Sequence, residues 1–136
     1  MPTVASTAPQ SRLGAHRAGY VLSALTALIF VMSAYAKLGP RTPDMIEQIA
    51  RFGYPDGALS VIAAVELGCL LLYLVPRSSL LGAVLLTGYL GGAVATHVRN
   101  GDSFVMPIIV GVLAWGGLYL RDDRVHDILL PFAPKR

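Results

Sequence analysis

Residues 57–75 read GALSVIAAVELGCLLLYLV, nineteen residues with a single carboxylate, Glu66, near the middle. As a helix rising about 1.5 Å per residue, the run is roughly 28 Å long, close to the hydrocarbon thickness of a bilayer. A carboxylate at that depth costs at least ~2.5 kcal/mol on insertion scales, so such acids turn inward and serve pairing or function. The plainer alternative is a protonated or hydrogen-bonded acid that only locks helices together.

The rest of the chain fits a lipid environment. Charged residues make up 14% and hydrophobic ones 54% of the 136 residues, against about 25% charged in ordinary soluble domains. The length suits one domain. Basic residues are not interleaved with aromatic ones in a patch, which excludes nucleic acid as a partner. Cys69 is the sole cysteine, so no intrachain disulfide forms and the thiol reads as a small packed group. His16, His97 and His126 lack metal-ligand spacing, and no metal site is expected.

Outward from the Glu66 run, the pattern predicts an all-α polytopic membrane four-helix bundle, with a short amphipathic helix in its first loop. Residues 1–18 read as a disordered basic tail. The bundle occupies 19–122, with spans at about 19–36, 57–75, 79–98 and 104–120, and 123–136 form a C-terminal tail. Ala34-Tyr35-Ala36 resembles a signal-peptide cleavage site, but its apolar stretch is longer than usual and three more follow. In the first loop, Thr42 can cap a helix with Pro43 at its start and Gly53 at its end. Met45, Ile49 and Phe52 give that helix one apolar stripe, to lie on the membrane surface or fold over the bundle mouth. After Pro76, Ser78 can cap the third span. Lys and Arg number seven on the side of the termini and four on the other, which places both termini in the cytoplasm.

Residues at helical spacing share single faces that carry most of the polar groups: Ser23, Thr26, Phe30, Ser33 and Lys37 on the first span, Glu66, Cys69 and Tyr73 on the second. Tyr89, Ala93, Thr96, His97 and Asn100 share a face of the third. Such faces turn towards one another because hydrocarbon offers them no hydrogen bonds. With alternate spans reversing direction, Lys37, His97, Arg99 and Asp102 gather at the non-cytoplasmic end. Glu66 lies roughly 13 Å below that mouth, so a polar funnel is expected. The Lys37 stem reaches about 6 Å, too short to pair with Glu66 unless the helices tilt, and Ser33 is the nearer neighbour. Glu66, His97 and Lys37 are the candidate catalytic groups. Ser33, Glu66, Tyr73, Tyr89, Thr96, His97 and Arg99 are the candidate ligand-binding groups.

These residues resemble the DoxX-like family of small integral membrane proteins. The resemblance runs through Ser33-x-x-x-Lys37-Leu38, Glu66-Leu67-Gly68, Pro76-Arg77 and Leu81-Gly82-Ala83. It continues in Leu86-Thr87-Gly88-Tyr89-Leu90-Gly91-Gly92-Ala93, Thr96-His97, Gly101-Asp102, and Trp115 with Tyr119-Leu120-Arg121-Asp122. It implies four transmembrane helices in a bacterial inner (cytoplasmic) membrane and an association with redox complexes, the name deriving from a subunit of a thiosulfate:quinone oxidoreductase. No cofactor motif is evident. The expected function is a redox-linked subunit holding a lipophilic molecule, a quinone type being the named candidate, alone, as a homo-oligomer or beside an oxidoreductase partner. A membrane isomerase or cyclase moving a proton through Glu66, and a small exporter subunit, are the alternatives.

Overall fold

The chain is all-helical in a computed structural model, which describes residues 8–55 and 57–129. In order, the helices are α1 (Ala8–Leu38), α2 (Pro43–Phe52), α3 (Ala58–Leu74), α4 (Ser79–Arg99), α5 (Val105–Arg121) and α6 (Asp123–Leu129). The four longest pack in a closed cycle of neighbours, α1 against α3 and α5, and α4 against α3 and α5.

The surface is strongly apolar, and the mainly apolar interior includes polar side chains. Ser23, Thr26, Glu66 and Ser79 are buried, while Leu28, Val31, Met32, Val61, Leu71 and Val112 are exposed. An exposed apolar belt around a partly polar interior is the arrangement lipid selects and water opposes. Among the described residues, two helical segments, Arg12–Leu38 and Ser79–Arg99, are long and apolar enough to cross a membrane. Helices α5 and α6 make a third only if their 110° bend is one broken span, and α3 is a shorter apolar helix.

Several sequence expectations are corrected. The 1–18 tail is not disordered over its described part, because α1 begins at Ala8 rather than near residue 19. The stretch has no proline beyond Pro9, in the first turn where proline is tolerated. Its His16 lies 3.7 Å from Asp123, and the Gly19 backbone is packed on Arg121. Residues 1–7 lie outside the described residues. The C-terminal tail also folds in part, as α6 buries Val125 and His126. Ser78 stands at the N-cap of α4 as expected, but its hydroxyl makes no capping bond and donates back to the Leu72 carbonyl at 2.9 Å.

The helices approach closely where side chains are missing. A Cβ on Gly82 would lie 2.1 Å from the Tyr73 backbone nitrogen, so only glycine lets α4 fold back on α3 there. Gly117 gives α5 a close but looser approach to Ser23 of α1, where a Cβ would lie 3.0 Å from the backbone nitrogen. Into that contact α3 inserts Tyr73, whose hydroxyl is 3.0 Å from Ser23 Oγ and donates to the Ala114 carbonyl at 2.8 Å.

Candidate functional site

At the other end of the helices the close packing stops, and a cavity of about 580 Å³ opens between α1, α3, α4 and α5, with α2 laid across it. Its walls are mainly apolar: Ile29 and Phe30 from α1, Leu59 and Ile62 from α3, Leu90 from α4, and Met106, Pro107 and Val110 from α5. The volume falls within the roughly 300–1,000 Å³ of small-molecule sites.

Helix α2 forms as its caps dictate. Thr42 Oγ1 accepts from the Met45 backbone N–H, Pro43 starts the helix, and Gly53 closes it at φ 66°. The Met45, Ile49 and Phe52 stripe lines the cavity, so α2 is a roof over a pocket and not a surface anchor alone. Arg99 ties the roof down by donating to the Phe52 carbonyl at 2.7 Å. The Tyr54 hydroxyl meets Thr96 Oγ1 at 2.7 Å, with that threonine donating in turn to the Gly92 carbonyl. The Phe52 ring stands edge-on to His97, their centroids 6.0 Å apart.

A charge pair sits deeper in the cavity. Glu66 is 1% exposed, and its Oε2 accepts from Lys37 Nζ at 2.8 Å. The pairing judged out of reach along the helix axes is therefore made. Side chains on a helix lean towards its N-terminus, so Lys37, near the C-terminal end of α1, reaches down into the interior. Its other protons go to Ser33 Oγ at 2.6 Å and the Ser33 carbonyl at 3.3 Å. Ser33 thus reaches Glu66 through the lysine. The Tyr89 ring lies 5.9 Å from the ammonium and its hydroxyl stands beside the Glu66 carboxylate. Glu66 Oε1 has no hydrogen-bond partner, and neither has the buried Nδ1 of His97.

Of the sequence-derived candidates, the structure brings Ser33, Lys37, Glu66, Tyr89, Thr96 and His97 together on one cavity. Two fall elsewhere. Tyr73 faces inward as expected, but it is consumed in the α1–α5 contact and by Arg121, whose guanidinium lies 4.7 Å from its ring. Arg99 turns to the roof helix instead of into the cavity. Tyr54 and Phe30 were missed: Tyr54 follows the helix-ending glycine with no periodicity to mark it, and Phe30 was visible only as one member of a mixed face. Among the described residues, no group of three His, Cys, Asp or Glu is placed to hold a metal ion.

Chemically, the site offers a mainly apolar chamber whose lining carries a neutralised charge pair, two phenols, two hydroxyls and an imidazole. Such a chamber can seat a lipophilic molecule by its polar end. A family model described as the DoxX-like family matches residues 21–117. No curated protein and no solved structure matches the chain.

Proposed function

This chain belongs to the DoxX-like family, and on that premise we propose that it is a four-span membrane protein holding a small lipophilic molecule in the cavity at Glu66. The observation that carries this reading is the Lys37–Glu66 pair, its carboxylate buried and its lysine partly so, on the wall of a mainly apolar chamber. Buried ion pairs add little stability over apolar packing, so one retained beside an empty volume points to recognition. Helices α3 and α5 complete the four spans in this reading, with both termini in the cytoplasm and the roofed mouth on the opposite side of the inner membrane. The redox link implied by the family resemblance makes a quinone-type molecule the first occupant to try, and an oxidoreductase subunit the first partner.

A second reading is favoured by one observation. Glu66 Oε1 is unpartnered with the Tyr89 hydroxyl beside it, a set able to move a proton on a bound hydrophobic substrate. In that isomerase-type reading Glu66→Gln abolishes turnover while leaving the protein folded.

The binding reading is tested by blocking the chamber. Gly92 lines it, and a Cβ there meets nothing within 4 Å. Gly92→Leu therefore adds bulk at the cavity wall at a position with room for its Cβ. Mass spectrometry of molecules co-purifying in mild detergent should find a lipophile enriched with the wild type and lost from folded Gly92→Leu. The same lipids in equal amounts on both would contradict the reading.

A further inference from the structure

Two polar atoms on side chains that line this cavity, Glu66 Oε1 and His97 Nδ1, are buried without a hydrogen bond among the described residues. We propose, resting on the binding reading above, that the occupant is a neutral lipophilic alcohol or phenol whose hydroxyl donates to Glu66 Oε1.

Three observations select this chemistry. The first is charge. Lys37 and Glu66 are the only Lys, Arg, Asp or Glu among the described lining residues, and they neutralise each other at 2.8 Å. A charged head would enter the chamber with no partner left to compensate it, which burial penalises heavily. The second is polarity of the hydrogen bond. An ionised carboxylate only accepts, and the Lys37 protons are spent on Oε2 and on Ser33. An ether, ester or ketone, the oxidised form of a quinone-type molecule included, has no proton to give and leaves Oε1 as unsatisfied as it found it, so of a quinone pair only the reduced quinol fits. A hydroxyl supplies that proton. The third is the remainder of the wall. Ile29, Ile62, Met106 and Val110 provide an apolar surface for the rest of the molecule, under the Met45–Ile49 stripe of α2.

Matched probes separate the possibilities: para-nonylphenol and its O-methyl ether, para-nonylanisole, titrated against the full chain in lipid nanodiscs. The phenol is expected to bind at least about ten-fold more tightly, equivalent to about 1.4 kcal/mol. In Glu66→Gln, whose amide can itself donate, the ratio should fall towards one. Should that variant not fold, the wild-type ratio decides alone. Equal binding of both probes, lost from Gly92→Leu, overturns the hydroxyl assignment and leaves the binding site standing. Failure of the wild type to bind either probe overturns both. A phenol preference unchanged in Glu66→Gln overturns the role given to Oε1.

Discussion

Lys37 meets three acceptors at once, and that arrangement makes its charge and that of Glu66 interdependent. Removing one member of a buried pair strands the other, at a cost of about 3–5 kcal/mol, whereas replacing both with apolar groups is often neutral. Lys37→Met should therefore lower the unfolding free energy by about 3 kcal/mol or more, and Lys37→Met with Glu66→Leu should recover most of the loss. Unfolding in mixed micelles checks both; equal losses in single and double variants would show that the pair is not coupled. Glu66 was legible in the sequence because a lone acid in nineteen residues contrasts with everything around it. Its partner was not, because spacing gives depth along each helix but neither the crossing of α1 and α3 nor the backward lean of a lysine. Tyr73 shows the converse. Its position on the inward face was read correctly, and it is fully buried, but periodicity does not say where a cavity ends and close packing begins.

Helix α2 was legible in full: its caps, its proline and its stripe all act as the sequence specifies. What the stripe faces was not, since surface and roof demand the same amphipathic pattern. The roof is held by Arg99 to the Phe52 carbonyl and by Tyr54 to Thr96. Cutting the first tie with Arg99→Ala should speed amide exchange over Met45 to Phe52 by about ten-fold, the equivalent of one charge-assisted hydrogen bond of roughly 1.5 kcal/mol. Unchanged exchange would mean the roof is secured by packing alone. At the opposite end, Asp122 fastens the α5–α6 corner, receiving hydrogen bonds from Arg124 and from Ser79 of α4. The Arg124 hydrogen bond holds the Asp122 carboxyl below its ordinary value, with burial opposing it. A group whose folded value is lowered adds stability above the ordinary carboxylate value of about 3.9, and loses it as pH falls through the lowered one. Acidification from about pH 6 to about pH 3 should thus depress the unfolding midpoint of the wild type more than that of Asp122→Asn. Parallel curves would remove Asp122 from the account. This corner, and the helical start of α1 that packs on it, were hidden in the sequence because polar, alanine-containing ends resemble disordered tails until a partner helix is placed beside them.

For the whole molecule, the composition and the four apolar runs were enough to foresee an all-helical membrane protein. They did not foresee how unevenly the helices qualify as spans. Helix α1 is 31 residues long and α3 only 17, yet α3 carries Glu66. At about 1.5 Å per residue α3 covers roughly 26 Å, slightly less than the hydrocarbon layer, a mismatch a bilayer absorbs at modest cost. The account depends on α3 being submerged beside the cavity rather than lying in water. Val65, next to Glu66 in sequence, is 51% exposed on the outer surface. A spin label there (Val65→Cys in a Cys69→Ala background, reconstituted in liposomes) should collide more often with oxygen than with a polar nickel chelate. Stronger relaxation by the chelate would place the Glu66 segment in water and contradict the account.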